Sequence, residues 1–143
     1  LIMDEPTAGL DPKERAYFRN VISEMSRDKI IIISTHIVSD VEFISDQVLV
    51  MKKGRFILQG TTEELLSEIE GMVWICRVPV SEWGYFESTY NVVNSHNIGN
   101  IVEARVICSS CPYENAEATH PSLEDLYLYC FADETEIISG KNA

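Results

Sequence analysis

Two adjacent carboxylates end an apolar run at the start of the chain. Asp4 and Glu5 follow Leu-Ile-Met, which indicates the end of a buried strand. Successive side chains of a strand point to opposite sides, so the two carboxylates suit different tasks. One can hold Mg²⁺ through water, and the other can polarise an attacking water molecule. By itself the pair favours a simpler interpretation, in which the end of the strand is merely polar. The residues that follow distinguish this interpretation from a catalytic pair.

A histidine ends the next predicted strand. Residues 30–34 form a β-branched run without alternation, which is typical of a strand covered on both faces, and Thr35 and His36 follow directly. An isolated histidine in this position is more often capped or buried than chemically active. It stands 31 residues after Glu5, and the histidine by itself does not distinguish these two interpretations.

The segment that holds these residues resembles the ATP-binding cassette (ABC) family of transporter ATPases. Its first motif, residues 4–12, reads Asp-Glu-Pro-Thr-Ala-Gly-Leu-Asp-Pro. The resemblance covers roughly the first 65–70 residues, and a motif of this length is highly specific. In chain order, the similar parts are the Walker B strand (residues 1–5), the D-loop (9–11), the switch-histidine loop (35–36) and the last core strands (46–55).

The resemblance implies a role for each matching residue. Asp4 is expected to hold a Mg²⁺ shell through water, and Glu5 to be the general base that polarises water against the γ-phosphate. His36 is expected to contact the γ-phosphate and that water, and Asp11 to reach across to a second ATPase subunit. Thr7 is expected to serve loop geometry only. Phosphoryl transfer suits such a set, because positioning and charge stabilisation supply most of its rate.

The phosphate-binding motifs of the family are absent from these 143 residues. The sequence has no G-x-x-x-x-G-K-[ST] phosphate loop, no adenine-stacking loop and no L-S-G-G-Q-like signature, all of which precede the Walker B strand in the family. The chain also opens in the middle of an apolar pattern, without an initiator methionine. We therefore expect it to be the C-terminal part of a longer ATPase that uses ATP and Mg²⁺. We expect these residues alone to bind neither ligand specifically and to be inactive.

Helix and strand signals in the first half place the motif residues. Asp11 is a predicted N-cap, with Pro12 at the first helical position and Glu14 completing a capping box. The helix is predicted over residues 12–27, with an apolar stripe of Tyr17, Phe18, Val21, Ile22 and Met25. The other predicted elements are a short helix (39–44), a hairpin (47–51 and 55–59) and a helix opened by a capping box (61–71).

The sequence changes in character near residue 70. Residues 101–108 alternate apolar and polar side chains, as a half-buried strand does. The other predicted elements of this half are a strand (72–79), a weak strand (92–93), a loop (109–119) and two helices (81–89 and 121–131). Its aromatic residues favour a core over a partner surface: Trp74, Trp83, Tyr85 and Phe86. Residues 133–143 are expected to be frayed.

These elements predict an α/β protein of two domains. Residues 1–70 resemble the C-terminal part of a P-loop NTPase core of the cassette type, and residues 71–143 form a small α+β extension. Within the extension, residues 120–128 read His-Pro-Ser-Leu-Glu-Asp-Leu-Tyr-Leu. This run is similar to the Pro-[Ser/Thr]-Leu-Glu-Asp helix near the end of many drug- and antibiotic-export ATPases.

The charge balance and the cysteines exclude some classes of function. Lys and Arg total 11 against 23 Asp and Glu, a net charge of −12, which argues against broad nucleic-acid binding. Apolar runs are too short to span a bilayer. Cys108 and Cys111 form a C-x-x-C motif, but a second pair is missing, so plain thiols are favoured over a zinc site.

The preferred interpretation is an ATPase subunit of a membrane exporter. Such a subunit is expected to work as a homo- or heterodimer, on the cytoplasmic face of the membrane, beneath membrane-spanning permease subunits and without nucleic acid. The permease selects the substrate, so this sequence does not identify it. A soluble cassette ATPase of translation or DNA repair is the second interpretation, and a non-catalytic interaction or regulatory module is the third. The acidic balance and the Leu-Glu-Asp ending favour transport.

Overall fold

A computed structural model describes residues 1–132. The chain forms two compact units, Leu1–Thr62 and a second that begins at Glu63. The domain boundary predicted from sequence lies a few residues later, at residue 70, and stays a prediction. Residues 133–143, for which fraying is predicted, lie outside the described residues.

The first unit begins with a β-α-β arrangement. Strand β1 (Ile2–Asp4) pairs in parallel with β2 (Ile32–Ser34), so that Asp4 lies opposite Ser34. Helix α1 (Pro12–Met25) connects them. Its capping box is confirmed, because Asp11 accepts hydrogen bonds from two α1 amides while the Glu14 side chain accepts one from the Asp11 amide. The resemblance also implies that the carboxylate strand pairs with the histidine strand, and this pairing is confirmed.

A short helix and a hairpin complete the first unit. Helix α2 (Val38–Ile44) follows the histidine, and strands β3 (Val48–Lys52) and β4 (Arg55–Gly60) form the predicted antiparallel hairpin. Its turn places Lys53 at φ +50° and Gly54 at φ +74°. Two consecutive residues with positive φ match the right-handed twist of the flanking strands, which explains the glycine.

Apolar side chains of the first unit are more exposed than the sequence predicts. The prediction that residues 30–34 are covered on both faces is wrong, since Ile30 is 85% exposed and Ile32 is 57% exposed. Within residues 1–132, β2 pairs only with β1 and β3 only with β4, so each sheet has two strands. The predicted apolar stripe of α1 is also more exposed than expected, since Ile22 is buried but Tyr17 is 72% exposed.

The strand pairing bears on whether the exposed strand β2 is expected to self-associate. The resemblance implies a central strand between residues 30–34 and 47–51 that is absent from this sequence, so we expect either direct pairing of these two segments or self-association. Direct pairing does not occur. Self-association stays an expectation, because within residues 1–132 strand β2 keeps one edge unpaired and its residue Ile32 is exposed.

We expect Ile32→Lys to reduce self-association of the chain. Ile2 and Ile32 are opposite each other on one exposed face of the β1–β2 pair, and a lysine there adds charge to that face. Sedimentation across a concentration series should show the wild-type mass rising and the variant remaining monomeric. Tyr85→Lys, at an exposed position of the second unit, is the control. A wild-type chain that stays monomeric throughout would contradict the prediction.

The second unit is built on a four-stranded antiparallel sheet. The strand order is β6-β7-β5-β8. The strands are β5 (Val73–Pro79), β6 (Asn91–Ile98), β7 (Ile101–Ile107) and β8 (Glu117–Ala118). Helix α3 (Thr62–Ser67) precedes the sheet, α4 (Val80–Thr89) connects β5 to β6, and α5 (Leu123–Phe131) follows β8. Strand β6 is longer than predicted, and β8 lies in a segment predicted to be a loop.

One face of this sheet packs against helix α4. The alternation predicted for β7 is confirmed, with Val102, Ala104 and Val106 buried. Phe86 belongs to one buried cluster with Ala104 and Val106, and Trp74 and Trp83 pack partly buried against it. Tyr85, also predicted to be a core residue, is instead 77% exposed.

Two further findings concern membranes and metals. Among the described residues, no helix is long and apolar enough to cross a bilayer. Nor do three His, Cys, Asp or Glu side chains of residues 1–132 come together as metal ligands, so the C-x-x-C motif gains no zinc partners there. Burial raises the pKa of the nearby Cys76 to about 12, which keeps this side chain a thiol.

Candidate functional site

The candidate site lies where β1 and β2 end. Because the two strands are parallel and in register, their carboxyl ends meet at one edge. The Ser34 hydroxyl donates a hydrogen bond to Asp4 Oδ1. The Glu5 backbone amide donates to the Ser34 carbonyl at 2.7 Å, which extends the pairing by one more bond. Parallel pairing therefore brings the two predicted carboxylates to the residues that lead into His36.

Three groups from the β2 end hold the Glu5 carboxylate. The Thr35 hydroxyl donates to Glu5 Oε2 at 3.0 Å, and the His36 amide donates to Oε1 at 3.1 Å. The ring nitrogen Nδ1 of His36 lies 2.8 Å from the same oxygen. Hydrogen bonding from His36, foremost among these effects, lowers the pKa of Glu5 against the smaller opposing effect of burial. Glu5 is therefore an ionised hydrogen-bond acceptor at neutral pH.

The backbone at Glu5 is itself unusual. Its φ is +46°, in the left-handed region that residues with a Cβ avoid. Strained positions of this kind concentrate at functional sites, where the surrounding structure enforces them. The Glu5 and His36 side chains are 37% and 74% exposed, so water and a substrate have access to both.

Asp11 has a different place in the structure. Its Oδ1 accepts hydrogen bonds from the amides of Lys13 and Glu14 at 2.8 and 2.9 Å, as the N-cap of α1. The residue is exposed. Its predicted contact with a second ATPase subunit stays a prediction.

Four residues near the site received no catalytic or binding role from the sequence. Ser34 and Thr35 donate hydrogen bonds to the two carboxylates, and their position directly before His36 is the signal that could have identified them. The Thr7 hydroxyl donates to Asp40 Oδ2 at 2.6 Å, and both residues are buried. They are 33 positions apart, so no local pattern connects them. Loop geometry as the role of Thr7 stays a prediction.

The oxygen atoms at the site suit a Mg²⁺ ion that is also bound by a nucleotide. Asp4 is exposed, and its neighbour Ser34 adds a hydroxyl oxygen. Mg²⁺ keeps several waters and commonly takes one or two carboxylates together with substrate phosphates. The described residues offer no group of three side chains that would hold a metal by itself. Asp4 therefore suits a water-mediated ion that arrives with a nucleotide.

Comparison with known proteins gives the class to which the relatives belong. No family model matches the chain. The similar curated proteins are ATP-binding proteins of ABC transporters. One is the energy-coupling factor transporter ATP-binding protein EcfA2 of Clostridium perfringens, 46% identical over 72 residues, which are 49% of this chain and 25% of that protein. Another is the uncharacterized ABC transporter ATP-binding protein YxlF of Bacillus subtilis, 28% identical over 142 residues, 90% of this chain and 48% of that protein.

A third relative is named for export. The Nod factor export ATP-binding protein I of Rhizobium etli is 39% identical over 72 residues, 50% of this chain and 23% of that protein. The chain thus spans between about a quarter and a half of the length of these relatives. Together they support an ABC ATPase but not the drug-exporter type in particular, because energy-coupling factor transporters match equally large parts of the chain.

Proposed function

We propose that this chain is the hydrolytic part of an ABC transporter ATP-binding subunit. The longer protein that contains it, the longer ATPase, would hydrolyse ATP to drive transport. The observation that carries this proposal is the contact between Glu5 and His36, 2.8 Å apart at the joined ends of two parallel strands. The ABC ATP-binding relatives support the same class of activity.

The geometry gives each group a task in hydrolysis. The ionised Glu5 carboxylate accepts a proton from water that attacks the γ-phosphate, while the Thr35 hydroxyl and the His36 amide hold it in place. Nδ1 of His36 donates to Glu5, which leaves Nε2 for the substrate side. A neutral ring then accepts from the attacking water at Nε2, and an imidazolium donates to a phosphate oxygen.

The metal and the nucleotide bring the remaining parts of the site. Asp4 would hold Mg²⁺ through water, and the ion when bound would neutralise charge on the phosphate oxygens. The residues of the phosphate loop are not in this sequence. Asp11 would contact the second ATPase subunit of a homo- or heterodimer.

Phosphate release from Mg-ATP by the purified longer ATPase tests the proposed activity. Steady turnover that needs Mg²⁺ and persists without nucleic acid is the expected result. Absence of turnover, with or without the permease, would overturn the proposal. Turnover that requires RNA or DNA would instead favour the translation or repair interpretation.

Export is the direction of transport that we propose. The Nod factor export relative and the Pro-Ser-Leu-Glu-Asp run at residues 121–125 support it. The subunit would then lie on the cytoplasmic face, bound to membrane-spanning permease subunits. In inside-out vesicles, external ATP should drive accumulation of the exported compound. ATP-driven loss of a preloaded compound would show uptake instead.

We expect His36→Ala to slow hydrolysis more than it weakens nucleotide binding. The variant loses the ring at Nδ1 and Nε2 but keeps the backbone amide, so kcat should fall about 10²-fold with little change in KM. The pKa of Glu5 should also rise toward its ordinary value, which moves the acid limb of the rate profile to higher pH. Rates from pH 4 to 8 would show both effects.

A histidine outside the site provides the control for that experiment. His120 is 97% exposed and faces Glu70 in the second unit. His120→Ala should leave both kcat and the acid limb unchanged. A His36→Ala variant that also behaves like the wild type would remove His36 from the proposed mechanism.

A further inference from the structure

Helix α2, which follows His36, carries a buried carboxylate. Asp40 is 2% exposed and Thr7 only 1%. The Thr7 hydroxyl donates to Asp40 Oδ2 at 2.6 Å, and Arg19 Nε lies 3.9 Å from Oδ1. Burial of a carboxylate costs free energy, which apolar side chains of similar volume would avoid. A polar contact kept at this depth therefore points to a role beyond filling space.

The contact joins the same two segments that the candidate site joins. Thr7 comes two residues after Glu5, and Asp40 comes four residues after His36, on helix α2. The loop between Glu5 and Thr7 is itself folded into turns, since the Ala8 amide donates to the Glu5 carbonyl at 3.2 Å. Displacement of Thr7 would therefore move the strained backbone of Glu5 relative to His36.

We propose that Asp40 is a positioning residue that acts on Glu5 through Thr7. This inference rests on the proposed ATPase function, because it gives Glu5 the role of general base. Misplacement of a catalytic group by about 1 Å can cost about 10²-fold in rate. In the longer ATPase, Thr7→Val and Asp40→Leu each remove one partner of this hydrogen bond and should lower kcat by about ten- to a hundredfold, with KM for ATP little changed.

A conservative variant distinguishes the effect of the Thr7 hydrogen bond from the effect of side-chain volume. Thr7→Ser keeps the hydroxyl and should keep most of kcat. The double variant with Thr7→Val and Asp40→Leu should be no slower than the slower single variant, because both changes break the same bond. Asp46→Leu, which removes an exposed carboxylate just beyond α2, is the matched control and should have no effect.

A second readout does not depend on ATP hydrolysis. The His36 backbone amide donates to Glu5 Oε1 at 3.1 Å, so its proton NMR chemical shift, in the 143-residue chain, reports how closely Glu5 and His36 are held together. This signal should move upfield in Thr7→Val and in Asp40→Leu, as the hydrogen bond lengthens, but not in Thr7→Ser. The amide signals of β1 and β2 check that each variant is folded.

The outcomes distinguish the two proposals. An unchanged His36 amide shift in folded Thr7→Val and Asp40→Leu would overturn the positioning role. Loss of the β1 and β2 signals in both variants would also overturn it, since the contact would then hold the whole unit together. A wild-type longer ATPase without turnover would defeat the proposed function and leave the result of the NMR measurement standing.

Discussion

Replacing Glu5 with glutamine is expected to abolish turnover in the longer ATPase while leaving nucleotide bound. Glutamine has the same length as glutamate and can adopt the same backbone conformation, but its amide does not accept a proton from water. General base catalysis contributes about 10²–10⁴-fold, so kcat should fall by that factor. Nucleotide retention after rapid desalting should rise at the same time, because bound ATP is no longer consumed.

A second carboxylate serves as the control for this substitution. Glu24 is exposed on α1, outside the site, and Glu24→Gln should retain full turnover. Glu5→Asp withdraws the carboxylate by one methylene and should recover only part of the rate, because placement matters as well as charge. Undiminished turnover in Glu5→Gln would show that Glu5 is not the base.

The site was predictable to the extent that its signals are local. Asp4, Glu5 and His36 stand at strand ends, and parallel pairing alone brings them together. The contact between Thr7 and Asp40 was not predictable, because it depends on how α2 packs against the loop after β1. The residues around Thr7 do not indicate that it contacts Asp40, which is 33 positions away.

The fold shows the same division between local and distant information. The capping box at Asp11 and the turn at Lys53 and Gly54 were predicted, because each depends on a few adjacent residues. Burial was predicted less well, as the exposed Ile32 shows, because it depends on which strands lie alongside. The two-residue strand β8 was missed, since its pairing with β5 gives it order that its polar sequence does not indicate.

Replacing Arg105 with methionine is expected to destabilise the second unit severely. Arg105 on β7 forms two hydrogen bonds with Asp125 on α5, at 2.8 and 2.6 Å, and a third with the His120 carbonyl at 2.9 Å. The Asp125 side chain is 1% exposed and also accepts from the Ser122 amide as part of the helix cap. Arg105→Met leaves this carboxylate buried without its cation, which costs about 3–5 kcal/mol in the free energy of unfolding.

The chain offers a direct measurement and a matched control. Both tryptophans belong to the second unit, so tryptophan fluorescence during urea unfolding reports on that unit. Arg77 lies on the neighbouring strand of the same sheet and pairs with Glu103 and Glu117, but it is 42% exposed. Arg77→Met should therefore change the unfolding midpoint little. Equal losses in the two variants would contradict a special role for the buried pair.

The pH dependence separates an unpaired charge from lost packing. Burial raises the pKa of Asp125, but hydrogen bonds from Arg105 and Ser122 outweigh it and hold this pKa below its ordinary value. The wild type therefore loses this stabilisation as pH falls below about 4. In Arg105→Met, burial acts with less opposition, so the folded pKa should exceed the unfolded one and the native state should bind the proton more tightly. The deficit should be largest at neutral pH and shrink toward pH 4, whereas lost packing would give the same deficit at both.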